Sequence, residues 1–396
     1  MPKTLQRELR LAGRMSRLSG EGAFEVLERA RALERQGKNV IHLEIGEPDF
    51  DTSQNIVDAG VNALRRGWTH YGPTAGYPEL RQTIAEYVSR TRGVSVSSDE
   101  VVVVPGGKPI IFFTLLALAD VGDEVIYPNP GFPIYESMIR YVNAKPVPIR
   151  LCEEKDFGLD VNELASLIND RTRLMILNSP HNPTGGVLSK QNVHDIAAAI
   201  GDRDIMILSD EIYSRLIFEG ANHSIMAEPG FKERTVLLDG FSKTYAMTGW
   251  RMGYGVMRSD LANEIALLVT NATSCTASFT QMAGVEALRG DQSAVEKMKA
   301  EFQRRRDGFV AGLNRIKGFS CRLPGGAFYA FANITATGWK SKPLADALLS
   351  QAGVACLSGT AFGEYGEGYL RFSIANSFEN LMIALERIEV WTKANL

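Results

Sequence analysis

Residues that build metal centres and disulfide frameworks are scarce in this chain. Its 396 residues include four cysteines, Cys152, Cys275, Cys321 and Cys356, which lie far apart and form neither a CxxC pair nor Cys/His ligand spacing. This argues against a structural metal and a disulfide scaffold, and the expectation is reduced thiols in a cytoplasmic protein. Long hydrophobic runs are missing too: none reaches the ~20 residues that would span a bilayer, and the first residues lack the apolar core of a secretory signal. Neither charge sign dominates. A formal net charge of −3 offers no strong field to nucleic acid or to a membrane surface, so a small-molecule function fits better. Internal repeats and low-complexity linkers are absent as well.

What is present is apolar material, 45% of the residues, enough to bury a sizeable core in two domains. Lys3, Arg7, Arg10, Arg14 and Arg17 make the first segment basic. A basic arm draped over a partner subunit is a simpler explanation than an organelle transit peptide. Ser19 is expected to cap a helix running to about Gln36, because Phe24, Leu27, Ala30 and Leu33 share a face and Gly37 suits its end. A short strand, Val40 to Leu43, follows. Thereafter one pattern recurs: a brief apolar run, a polar or Gly-rich loop, then a helical segment. The runs are Val101–Val104, Glu124–Tyr127, Leu174–Leu177, Ile205–Leu208 and Val236–Leu238. Strands alternating with helices imply an α/β fold with a mostly parallel sheet covered on both faces. From about Asp291 a long charged helix and shorter strands around 328–331 and 370–374 indicate a second, smaller domain. The last helix is expected to start at a capping box of Asn376 and Glu379, with Leu381, Leu385, Ile388 and Trp391 as its buried stripe.

In such sheets ligands bind beyond the carboxyl ends of the strands. Five loops follow strands there: Gly106-Gly107-Lys108, Asn129 to Phe132, Asn178 to Gly185, Asp210 to Tyr213, and Ser242-Lys243. The run from Ser242 to Arg251 is the most informative. It sets an amine, Lys243, beside a hydroxyl and a guanidinium, the groups needed by an aldehyde cofactor that also carries a phosphate. Pyridoxal phosphate fits that description. Gly106-Gly107-Lys108, between strand and helix, would cradle its anion with first-turn amides. The GxxxxGK[ST] spacing is missing, and Gly253-Tyr254-Gly255 lacks the rest of a dinucleotide fingerprint. Asp210, ending an apolar strand, would be costly to bury without a cation, and a pyridinium nitrogen would supply one; a helix cap is the alternative. Tyr213 would lie on the same helical side, within reach of the cofactor's phenolic oxygen. Asn182 is either a donor to that oxygen or a turn residue, and Phe132 either stacks on the ring or belongs to the core.

These residues stand in an order that resembles the fold-type I, class I pyridoxal-phosphate aminotransferases, near the bacterial aspartate, alanine and aromatic aminotransferases, over nearly the full length. Further matches are Gly46-Glu47-Pro48-Asp49-Phe50, Tyr71 with Gly76 and Leu80-Arg81, Gly249-Trp250-Arg251-Met252-Gly253, Pro324-Gly325-Gly326-Ala327-Phe328 and Leu370-Arg371-Phe372-Ser373. The resemblance implies that Lys243 forms the Schiff base and shuttles the proton, with Asp210 as pyridinium partner and Asn182 and Tyr213 as phenolate partners. It assigns the phosphate to Ser242, Arg251 and the Gly107-Lys108 amides, with Tyr71 reaching in from the other subunit. Arg371, helped by the backbone at Gly46, would clamp the substrate α-carboxylate. It further implies a large domain at 47–291, a small domain from 1–46 and 292–396, and a homodimer with shared sites.

The implied reaction exchanges an amino group between amino acids and 2-oxo acids, with glutamate and 2-oxoglutarate as one pair and aspartate, alanine or an aromatic amino acid as the other. A β-lyase, a racemase and a non-catalytic cofactor-binding regulator remain as alternatives. In some relatives the lysine matching Lys108 binds an acidic substrate's distal carboxylate. The threonine that assists it there is replaced here by Gly22-Ala23, and the interface arginine of other aspartate aminotransferases has no counterpart in 271–281.

Overall fold

Four consecutive valines, Val101–Val104, show how the sequence sets the architecture. Val102 and Val104 enter one hydrophobic cluster while Val101 and Val103 enter another, so the strand is apolar on both faces because both faces are covered. The structure, a computed structural model, describes residues 9–396. Lys3 and Arg7 lie outside the described residues.

The main sheet has eight strands, in spatial order Val101–Val104, Gly253–Val256, Thr235–Gly240, Met206–Asp210, Thr172–Asn178, Glu124–Asn129, Lys145–Cys152 and Gly158–Leu159. From Thr235–Gly240 to Lys145–Cys152 neighbouring strands run parallel. Gly253–Val256 is antiparallel to both its neighbours, and Gly158–Leu159 is antiparallel to the strand beside it. A smaller unit holds an antiparallel sheet of Tyr329–Asn333, Tyr369–Ser373 and Leu357–Ser358. It carries its own core, in which Phe302, Phe309, Phe328, Phe372 and Ile388 are buried. Ile41–His42 pairs in parallel with Val354–Ala355, joining the first segment to the last quarter of the chain.

All five expected runs lie in strands, save Ile205, one residue ahead of Met206–Asp210, and the expected α/β fold with its mostly parallel sheet is what the structure has. Three further strands belong to that sheet, Lys145–Cys152, the two-residue Gly158–Leu159 and Gly253–Val256. Lys145–Cys152 carries Pro146 and Pro148, which normally demote a strand; their register opposite Val125 and Tyr127 turns the missing N–H groups away from the paired edge. Gly253–Val256 has glycines where side chains were expected to mark a strand. A Cβ at Gly253 would lie 2.8 Å from the Gly107 nitrogen, so the residue must be small there.

Two helix starts differ from expectation. The first helix is Gly22–Arg35, entered from Glu21, and Ser19 instead donates its backbone N–H to Ser137 Oγ at 2.9 Å. The last helix is capped by Ser377, whose hydroxyl accepts from Asn380 N at 3.1 Å. Asn376 sits one residue too early and donates to the His42 carbonyl. Its stripe Leu381, Leu385, Ile388 and Trp391 is buried as expected. Asp210 opens a turn rather than a helix, so Tyr213 owes its place to that turn.

Behind the sheet's carboxyl edge, the Arg92 guanidinium donates to Glu211 Oε2 at 2.9 Å and to Asp239 Oδ2 at 2.7 Å, with all three side chains buried. Removing one partner of such a group leaves uncompensated charge in the interior. Arg92→Met is therefore expected to lower the unfolding free energy by about 3–5 kcal/mol, read as an earlier urea midpoint; an unchanged midpoint would show the acids to be satisfied without it.

Candidate active site

A cleft of about 370 Å³ opens where the parallel strands end. Each of the five loops named from the sequence reaches it: Lys108, Phe132, Asn178, Asp210 and Lys243 all line its wall, and Arg371 comes in from the smaller unit. The turn after Thr235–Gly240 brings Lys243 inward, where Nζ donates to the Gly46 carbonyl at 2.5 Å. Burial pushes the Lys243 amine down to about 8, with Arg371 and Lys108 adding to the fall and Glu47 opposing it. An amine so placed is available as a nucleophile near neutral pH, unlike a solvated lysine.

Asp210 is fully enclosed at the end of the central Met206–Asp210 strand. Its Oδ2 accepts from the Tyr135 hydroxyl at 2.6 Å and its Oδ1 from the Ile212 backbone at 3.2 Å. Burial pushes the carboxyl up to about 6, and the neighbouring acids Asp239 and Glu211 push the same way. A positively charged N–H presented from the cleft would relieve both effects.

Gly107 precedes the helix Lys108–Leu118, whose Pro109 has no N–H and whose Ile110 amide donates to the Gly107 carbonyl, so the Gly107 and Lys108 amides are the ones that can meet an anion. Ser242 and Arg251 line the same corner. Gly106 does not line the cleft, yet it shapes this corner: its φ is +87°, and a Cβ there would lie 2.3 Å from Arg251 Nη2. Arg251 itself holds φ at +53° and donates to the Thr248 carbonyl at 2.8 Å.

At the other end, Arg371 is buried in the Tyr369–Ser373 strand. It donates to the Glu44 carbonyl and to Asn182 Oδ1 at 3.5 Å, while its Nε has no partner among the described residues. Its guanidinium lies 4.6 Å from the Tyr329 ring centre. Tyr329 and Tyr213 share a hydrogen bond of 2.7 Å between hydroxyls. Gly46 is needed beside them, since a Cβ would meet the Tyr329 hydroxyl at 2.1 Å. Tyr71 is 89% exposed on this chain and does not reach its own cleft.

Three residues with polar side chains in the cleft were not singled out from the sequence, nor were apolar ones such as Leu357 and Phe362. Tyr135 follows Phe132 by three residues, a spacing that aims both toward one side, so it was findable. Tyr329 and Glu21 left no local signal. Glu21 is ion-paired with Lys108 at the mouth of the cleft.

Residues 38–388 match the family described as aminotransferase class I and II. The chain belongs to that family. It is 44% identical to an aspartate aminotransferase of Pyrococcus horikoshii over 92% of this chain and 93% of the relative. It is 36% identical to aromatic-amino-acid aminotransferase 2 of Thermococcus litoralis over 96% and 97%. Among solved structures, an alanine aminotransferase from Pyrococcus furiosus superposes with a TM-score of 0.93 at 32% identity, covering 97% of this chain and 100% of that one. The protein is thus a pyridoxal-phosphate-dependent aminotransferase of fold-type I.

The residues present fit that cofactor. The fully buried Asp210 carboxyl, short of a cation, suits a ring N–H⁺. The buried amine of Lys243 suits an aldehyde, and the Gly106 corner, which a Cβ would fill, leaves room for a phosphate beside Arg251. The lowered Lys243 value has a direct readout. In cofactor-free aminotransferase, Lys243 is half protonated near about 8 and loses its reactive neutral form progressively below that pH, so its reductive alkylation by a small aldehyde is expected to be half-maximal there. Peptide mapping against pH checks this; a midpoint in the ordinary lysine range would refute it.

Proposed function

We propose that the aminotransferase works in two half-reactions: a 2-oxo acid leaves before the second 2-oxo acid enters. Glutamate and 2-oxoglutarate form one pair, and aspartate, alanine or an aromatic amino acid and its oxo acid form the other. The observation that carries this reading is one cleft holding a buried amine lowered to about 8 together with a fully enclosed guanidinium, Arg371. The pair answers the two fixed parts of any α-amino acid, its amino-bearing carbon and its α-carboxylate.

In this reading Arg371 takes the α-carboxylate with its planar fork, assisted by the backbone around Gly46. That places the substrate Cα within the ambit of Lys243, whose Nζ removes the α-proton and returns it elsewhere. An amine that is half neutral near pH 8 can accept a proton there, whereas an ordinary lysine would already carry one. Bound pyridoxal phosphate supplies a ring that withdraws the electron pair left at Cα. Asp210 keeps a proton on the ring nitrogen, Asn182 and Tyr213 hold the phenolic oxygen, and Phe132 covers a ring face. Ser242, Arg251, Gly106 and the Gly107 and Lys108 amides hold the phosphate.

We assign cofactor binding to a domain at 47–291 and substrate closure to the domain of 1–46 and 292–396. A homodimer in the cytoplasm completes the proposal, with Tyr71 serving the partner's cleft. Its 89% exposure accords with that role, as do four unpaired cysteines with a reducing compartment.

The test is a half-reaction survey. Purified holoenzyme mixed with single amino acids should lose its cofactor absorbance band in one turnover and recover it on addition of 2-oxoglutarate. Lys243→Ala is expected to retain cofactor yet show no such turnover, and wild-type rates in that variant would remove Lys243 from the mechanism. Arg371→Lys keeps the charge and loses the fork, so kcat/KM should fall about ten- to a hundredfold for every amino acid alike. A fall confined to acidic donors would move Arg371 to the side-chain end of the cleft.

A further inference from the structure

One wall of the cleft has a charge already provided for. Lys108, at the start of its helix, reaches across the cleft mouth and pairs with the carboxylate of Glu21. Glu21 comes from a distant part of the chain, at the entry to the helix Gly22–Arg35. Its side chain is only 18% exposed, so its carboxylate is held in the cleft wall rather than dispersed in solvent. The surrounding wall is apolar: Phe24, Phe132, Leu357 and Phe362 line it with these two charges. The Lys108 ammonium lies 5.6 Å from the Phe132 ring centre, and the Arg371 guanidinium lies 5.0 Å from that of Phe362.

Resting on the aminotransferase reading above, we propose that Glu21 determines substrate preference: by neutralising Lys108, it sets the side-chain end of the cleft for uncharged apolar or aromatic side chains and against a second carboxylate. With Arg371 holding the α-carboxylate, the substrate side chain extends toward this wall. An apolar side chain there displaces water from Phe24, Phe132 and Phe362 and leaves the Lys108–Glu21 pair closed. A distal carboxylate meets a cation that is already paired and lies beside the like charge of Glu21. It binds only by displacing Glu21 into solvent, and like charges brought together at a recognition surface discriminate strongly. Dicarboxylic amino and oxo acids, glutamate and 2-oxoglutarate among them, therefore bind more weakly than their apolar or aromatic counterparts, and Glu21 is the residue that imposes the penalty.

The proposal is tested by binding as well as by rate. Calorimetry on holoenzyme measures the dissociation constants of succinate, a dicarboxylate, and of 3-phenylpropionate, a monocarboxylate with an aromatic end. Glu21→Gln keeps the size of the side chain and removes its charge. It should raise the affinity for succinate relative to 3-phenylpropionate by about tenfold, and raise the kcat/KM ratio of aspartate to phenylalanine in the same direction. Adding Lys108→Met to Glu21→Gln should erase the gain, because the freed ammonium is its source. A folded, cofactor-loaded Glu21→Gln enzyme with an unchanged succinate ratio overturns the proposal, as does a gain that survives loss of Lys108. If the unmodified holoenzyme converts neither aspartate nor phenylalanine, the substrate reading falls, while the two binding ratios still decide the role of Glu21.

Discussion

Two carboxylates buried behind the cleft share one buried guanidinium while a third, Asp210 in the cleft wall, has none, and the site is organised around that imbalance. Arg92 reaches from the end of the helix Pro78–Arg92 to Glu211 and Asp239. The remaining acceptor sites of those two acids go to neutral donors: Ser209, Asn222 and Ser224 for Glu211, Ser214 and the Gly240 amide for Asp239. Asp210, next to Glu211 in the chain and one strand from Asp239, receives a tyrosine hydroxyl and one amide but no cation among the described residues. Full ionisation of a carboxylate so placed is costly, and this is why its proton affinity is high. The protein has thus prepared a binding preference for a cationic ring before any ligand arrives. Arg92 makes the preference specific, because it settles the two rear acids and leaves the front one.

The sheet makes this arrangement rigid. Asp210 and Asp239 end neighbouring parallel strands that stand in register, Asp210 opposite Leu238. Their backbones cannot shift without breaking ladder hydrogen bonds on both sides. Lys243, by contrast, sits on a turn and is steadied by one carbonyl, that of Gly46. A fixed carboxylate facing a less constrained amine suits a reaction in which the ring is held and the proton carrier moves.

Much of this was legible from the residues, for a physical reason in each case. Strands such as Val101–Val104 announced themselves because both faces are buried, so no polar residue interrupts them. Asp210 and Lys243 were visible because a charged group directly after such a strand must sit at the ligand-binding edge. Lys145–Cys152 hid behind two prolines that only an open edge can accept, and Gly253–Val256 behind glycines demanded by the close approach of Gly107. The pairings were the hardest to see. Tyr135 lies 75 positions from Asp210, Tyr213 lies 116 from Tyr329, and Glu21 lies 87 from Lys108; each pair is joined by tertiary folding alone, so no local spacing encodes it. The misplaced caps at Ser19 and Asn376 have the same origin, since both residues are recruited by distant segments.

The short parallel ladder between Ile41–His42 and Val354–Ala355 sets a schedule for the chain's synthesis. Its two halves are more than 300 positions apart, so at about 5–20 residues per second the first strand waits roughly a quarter of a minute to a minute for its partner to be made. During that interval the eight-stranded sheet, whose strands all lie between Val101 and Val256, is complete in sequence and free to form. The smaller unit can only close afterwards, around a sheet already in place. Arg371, delivered by that late unit, is the last of the site's residues to leave the ribosome, so every residue that would hold the cofactor is made before the guanidinium that would clamp the α-carboxylate.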